Sequence, residues 1–133
     1  IWIHFSLKTK YCHNVFDIRE FREACKDTML EIFQVKNIEY ESIGFDSNHF
    51  HAILDLAFWS VPELVKVLKG SSGKKLLEKF PEIKKRYFWG SGLWSRTKYV
   101  YSIGRDKAAM KMYVAKQKYF HVTKDQTTLL DFA

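Results

Sequence analysis

The order of elements read along the chain, βαββαβα, predicts an α+β fold, a small antiparallel sandwich of ferredoxin-like type with one further helix after the last strand. Three observations carry this. The strand candidates show period-two alternation or short apolar runs, the helix candidates show capping signals and apolar stripes, and the crossovers between them are short. A length of 133 residues with 47% apolar content suits one domain, 1–133, with a single core. No internal repeat or linker is visible.

Ile1–Lys8 alternates cleanly, which turns Ile1, Ile3, Phe5 and Leu7 inward as a strand. Asp17 followed by Glu20 has the form of a capping box, with Phe16 and Phe21 placed as a hydrophobic staple. The helix that follows carries Ile18, Phe21, Cys25, Met29, Ile32 and Phe33 on one side and ends near Asn37. Ile38–Phe45 and Asn48–Leu56 read as strands joined by a turn at Asp46-Ser47. Ser60 and Glu63 form a second capping box, with Pro62 tolerated in the first turn. Gly70-Ser71-Ser72-Gly73 is expected to kink or break that helix. Trp89–Trp94 reads as a glycine-rich loop, and Lys98–Ile103 as a strand with Tyr99, Tyr101 and Ile103 on one face. Asp106 can cap the last helix, which runs to Lys118 and is apolar over much of its circumference from Ala108 to Ala115. The tail 119–133, polar at Thr123–Thr128, is expected to be loosely held and receives no element.

The net charge is +7 and the pI about 9.4, which favours a polyanionic partner. Between Lys66 and Arg86 stand eight basic residues against two acids, and Tyr87, Phe88, Trp89, Trp94, Tyr99 and Tyr101 follow at once. Cations beside aromatics suit single-stranded nucleic acid, whose phosphates need charge and whose open bases need stacking surfaces. A solvated lysine face next to an aromatic core has the same composition. No apolar run reaches the length of about 18 residues that a membrane span needs. No secretory signal is visible, and Cys12 and Cys25 lack metal-site spacing, so reduced thiols in a cytoplasmic protein are expected.

Two clusters carry the chemistry. On a strand, His49 and His51 project to one side while Phe50, Ala52, Leu54 and Leu56 form the opposite, apolar face. On a helix, Tyr113 and Gln117 lie one turn apart and project together. Two imidazoles and one amide oxygen can hold a divalent ion with coordination positions left open, and a tyrosine beside it can attack a phosphate. Mixed nitrogen and oxygen donors suit Mg²⁺ or Mn²⁺, although two imidazoles also bind Zn²⁺, Co²⁺ or Ni²⁺.

His49-Phe50-His51, then Tyr113 with Gln117 four residues later, resembles the pattern of the single-tyrosine HUH transposases of small bacterial and archaeal insertion sequences, the IS200-like family. The resemblance runs nearly the whole length. It includes the first strand with its Lys10-Tyr11 ending, Val67–Ser72, Phe80-Pro81-Glu82, and Trp89–Ser95. Two positions depart from the common pattern: Cys12-His13 follow Lys10-Tyr11 where many members have arginine, and Asn48 precedes the first histidine where many have aspartate.

The resemblance implies an HUH endonuclease-type fold and a transposase that cuts and rejoins single-stranded DNA at insertion-sequence ends. Tyr113 would be the nucleophile, giving a 5′-phosphotyrosine link. His49, His51 and Gln117 would hold Mg²⁺ or Mn²⁺. It further implies hairpin-bearing single-stranded DNA as partner, a homodimer with composite sites, and a nucleoid-associated place in the cytoplasm. Lys66, Lys69, Lys74 and Lys75 become candidate DNA contacts. Two other readings share part of the signal: a rolling-circle replication initiator or relaxase, and a non-catalytic hairpin-binding module.

Overall fold

The structure is a computed structural model that describes residues 1–103 and 118–123. Its centre is a five-stranded antiparallel sheet of β1 (Trp2–Thr9), β2 (Tyr40–Asp46), β3 (His49–Asp55), β4 (Trp94–Ser102) and β5 (Tyr119–Thr123), in the order β4-β1-β3-β2-β5. Three helices complete it: α1 (Arg19–Val35), α2 (Val61–Lys79) and α3 (Pro81–Tyr87). The first four strands have the ferredoxin-like order expected from the sequence.

Alternation decides which face packs against α1 and α2. Ile3, Phe5 and Leu7 of β1 and Phe50, Ala52 and Leu54 of β3 are buried in one core cluster with Phe21, Cys25 and Met29 of α1 and Leu64, Leu68 and Leu76 of α2. His4, Ser6, His49 and His51, at the alternate positions, therefore belong to the opposite face. Removing a buried Phe from such a core typically costs about 3–5 kcal/mol, so the register of β3 is held firmly by its apolar side.

The sequence reading needs four revisions. First, Asp17 does not cap α1, whose N-cap is Ile18 without a side-chain hydrogen bond. Asp17 Oδ1 instead accepts from Ser47 Oγ (2.8 Å), Lys118 Nζ (3.1 Å) and Tyr119 OH (2.7 Å), so long-range partners outcompete the local cap. Those donors hold its carboxyl below the usual range, the Tyr119 hydroxyl contributing most. The staple does form, with Phe16 and Phe21 ring centroids 5.9 Å apart.

Second, α2 runs unbroken through Gly70–Gly73. Trp94 packs over that stretch: a Cβ on Gly73 would meet its ring at 3.6 Å, and its Nε1 donates to Ser72 Oγ at 2.9 Å. Tertiary packing thus overrides the low helix propensity of the glycines. The Ser60 cap of this helix forms as expected, accepting from the Glu63 backbone N–H at 3.2 Å.

Third, β4 begins at Trp94 rather than Lys98, because Thr9 of β1 pairs with Trp94 past a register shift. Fourth, the chain after Lys118 forms β5 on the edge of β2, where the sequence suggested no element. Its start is fixed by the Asp17 contacts and by the Arg22 guanidinium, 3.8 Å from the Tyr119 ring centre.

Candidate active site on the histidine face of the sheet

The β2–β3 connection is a tight hairpin in which Asp46 faces His49. It is closed by one internal hydrogen bond and anchored by two from neighbouring segments. The Ser47 backbone N–H donates to Asp46 Oδ1 (2.9 Å), Phe16 N–H to the Ser47 carbonyl (3.0 Å), and Thr9 N–H to the Asn48 carbonyl (2.9 Å). His49 leaves this fixed turn directly, and His51 follows two residues later on the same face.

The two rings stack with centroids 5.7 Å apart at 21°. Nδ1 of His49 lies 2.6 Å from Asn48 Oδ1, an acceptor, so Nδ1 carries the proton and Nε2 carries the lone pair. Asn48, directly before His49 in the chain, thereby supplies the acceptor that orients this ring. Around the pair lies an open basin of about 370 Å³ lined by His4, Ser6, Asp46, His49, His51, Tyr99 and Tyr101. Cross-strand register explains this set: Ser6 stands opposite both His51 and Tyr99, and His4 opposite Tyr101.

Burial governs the electrostatics. It pushes the imidazolium pKa of His51 down to about 4, helped by the neighbouring His4 and His49. Burial likewise lowers His49, with Lys8 adding to the effect and Asp46 opposing it, and burial lowers His4. All three rings are therefore neutral at neutral pH, the state that can donate a lone pair to a metal. Among the described residues no group of three or more His, Cys, Asp or Glu side chains is arranged to hold an ion. The His49–His51 pair fits one as two neutral nitrogen donors with its first ring already oriented, needing a further donor from elsewhere. Tyr113 and Gln117, and the expected helix around them, lie outside the described residues.

The candidate DNA-contact lysines do not form one patch. Lys69 and Lys74 of α2 line a second cavity of about 430 Å³ with Lys84 and Trp94. Lys69 Nζ donates to the Ser95 carbonyl at 2.6 Å, and its pKa is lowered by burial and by Lys98. Lys75 points to another side of the helix and pairs with Glu31 of α1 at 3.2 Å. Lys66 is exposed.

Sequence reasoning missed His4, Tyr99 and Tyr101 as neighbours of the histidine pair. The alternation of β1 already turned His4 away from the core, but only the strand order shows which side chains it meets.

The fold and its polar face define a class: an antiparallel α+β domain with a His-x-His pair on the sheet face turned away from α1 and α2. Comparison with known proteins narrows it. The chain belongs to the IS200-like transposase family, whose family model matches residues 1–117. It is 25% identical over 116 residues to the ISDra2 transposase TnpA of Deinococcus radiodurans, covering 86% of this chain and 81% of that one. To the transposase for insertion sequence element IS200 of Salmonella typhimurium it is 27% identical over 115 residues, covering 86% and 74%.

Among solved structures, a protein assigned as a transposase from Deinococcus radiodurans superposes with a TM-score of 0.70 at 26% identity, covering 88% of this chain and 90% of that one. A REP-associated tyrosine transposase bound to a REP hairpin shares the fold alone, with a TM-score of 0.52 at 12% identity over 85% of this chain and 61% of that one. No described helix is long and apolar enough to cross a membrane.

Proposed function

We propose that this chain cuts and rejoins single-stranded DNA at the ends of an insertion sequence, with Tyr113 as nucleophile and His49, His51 and Gln117 as metal ligands. The observation that carries the reading is the neutral, co-facial His49–His51 pair, opening on a basin in a member of a transposase family. A phenol has a pKa near 10 and is a weak nucleophile at neutral pH, so it needs an activated phosphate. The Mg²⁺ or Mn²⁺ that His49, His51 and Gln117 would hold would supply that activation by drawing charge from the scissile phosphate.

The Tyr113 oxygen would bond to phosphorus as the bond to the 3′ oxygen breaks. The phenol gives up a proton and the departing 3′ oxygen takes one up. The products are a 5′-phosphotyrosine and a free 3′-hydroxyl. The ester keeps the bond energy, so another 3′-hydroxyl reverses the step and strands are exchanged without a nucleotide cofactor. Tyr99 and Tyr101 at the basin, and Lys69, Lys74 and Lys66 on α2, would hold the strand and its hairpin. The domain would act as a homodimer on cytoplasmic, nucleoid-associated DNA, the histidines of one copy facing the tyrosine helix of the other.

The test is incubation with end-labelled single-stranded DNA carrying the element's hairpin, in Mn²⁺, followed by a denaturing gel. A covalent protein–DNA band is expected from the wild type, and none from Tyr113→Phe, which removes one oxygen and leaves DNA binding nearly unchanged. A band that persists in Tyr113→Phe refutes the nucleophile. Mixing Tyr113→Phe with His49→Ala should restore part of the activity if sites are shared between copies. No rescue after confirmed subunit exchange would instead place each site within one chain.

A further inference from the structure

We propose that His4 is a positioning residue, whose Nε2 accepts a hydrogen bond from His51 Nδ1–H and so presents the Nε2 lone pair of His51 to the metal. The inference rests on the metal-site reading above and adds a residue that neither the HUH pair nor the tyrosine motif contains.

The geometry is specific. His4 lies on β1, directly opposite Ile53 and diagonal to His51. Its Nε2 is 3.3 Å from His51 Nδ1, with ring centroids 5.5 Å apart at 26°. Both side chains are buried. A nitrogen that already has another ring nitrogen at that distance has no room for a cation, so His51 can ligate only through Nε2.

One proton serves the contact, and its position decides the outcome. If His4 Nε2–H donated, His51 would carry its own proton on Nε2 and could not ligate. If His51 Nδ1–H donates, Nε2 is left with its lone pair. The second arrangement makes the two ligands alike. His49 donates from Nδ1 to Asn48 Oδ1 at 2.6 Å, and His51 donates from Nδ1 to His4. An outer acceptor that fixes the tautomer and aim of a metal-binding imidazole is a general feature of such sites. From β1 the far ring nitrogen of His4 reaches this position across one strand spacing.

The experiment uses the whole chain, ¹⁵N-labelled at histidine, and reads ring tautomers by NMR in EDTA and Mn²⁺ affinity by calorimetry. Wild-type His51 should be a single Nδ1–H tautomer. His4→Gln places an amide oxygen where Nε2 stood and should keep both that tautomer and Mn²⁺ affinity to within a few-fold. His4→Phe keeps bulk but no acceptor; it should lose the single tautomer and bind Mn²⁺ about 10–100-fold more weakly, with the His49 tautomer unchanged. An Nε2–H tautomer for His51 in the wild type overturns the proposal, as does undiminished Mn²⁺ affinity in His4→Phe. Should His4→Phe fail to fold, the wild-type tautomer and the Gln variant decide alone. A folded wild type that binds no Mn²⁺ contradicts the metal reading, while the His51 tautomer still upholds or overturns the role of His4.

Discussion

The histidine basin and the lysine-lined cavity are both openings of several hundred cubic ångströms, yet they are built in opposite ways. In the basin the three histidines are desolvated and neutral, His49 held by Asn48 in a hairpin tied to neighbouring segments and His51 by His4 of β1. At the cavity only Lys69 is tied down, by the Ser95 carbonyl, while Lys74 stands exposed on the same helix. Precision belongs to bond-making chemistry, where a small displacement of a donor changes the rate greatly. Loosely held charge belongs to polyanion binding, where counterion release needs proximity more than geometry. The two regions should therefore fail differently when disturbed.

The largest expected difference is in acid. His51 has a folded pKa of about 4 against an ordinary value of 6.5. Below pH 6.5 the unfolded chain takes up a proton that the folded chain refuses, so stability falls as pH drops from 6.5 towards 4 and then levels off. Over that window the loss is on the order of 3 kcal/mol, with His4 and His49 acting in the same direction. Urea unfolding of the metal-free protein between pH 7 and pH 4 checks this. His51→Phe should flatten the profile, and an unflattened one would mean that the basin is not the source of the acid sensitivity.

A smaller effect is expected at the cavity wall. Trp94→Phe removes the hydrogen bond to Ser72 Oγ and part of the ring that packs on Gly73. The expected cost is about 1–2 kcal/mol in chemical denaturation, with Mn²⁺ binding unchanged. A changed Mn²⁺ affinity would join two regions that are held here to be separate.

The smallest effect separates neighbouring lysines. Lys74→Ala should weaken hairpin binding and lower the slope of log affinity against log salt by about 0.7–0.9. Lys75→Ala, which breaks an exposed pair with Glu31, should leave the slope unchanged. Equal slopes for the two variants would move the DNA away from the cavity.

Much of this contrast was legible in the chain. The alternation in β1 and β3 fixes both faces of the sheet, because a slip of one residue would turn His49 and His51 into the apolar core and take Phe50 out of it. The Ser60 cap was legible because its partner is three residues away. What failed depended on distant partners. Asp17 looked like a cap but bonds to Ser47, Lys118 and Tyr119. Gly70–Gly73 looked like a break but lies under Trp94. Residues 119–123 looked unstructured, being too short for a periodic signal, and pair with β2. The His49–His51 pair was visible by spacing alone, whereas His4 enters the site only through the pairing of β1 with β3.

The central claim is that the histidine face does chemistry that the rest of the surface does not. Its most direct test is strand cleavage and hairpin gel-shift measured on the same preparations of wild type, His49→Ala and His51→Ala, with Mn²⁺ and with EDTA. The account predicts that either substitution, or EDTA, abolishes cleavage while hairpin binding stays within a few-fold of wild type. Cleavage at the wild-type rate in either variant, or in EDTA, would contradict it.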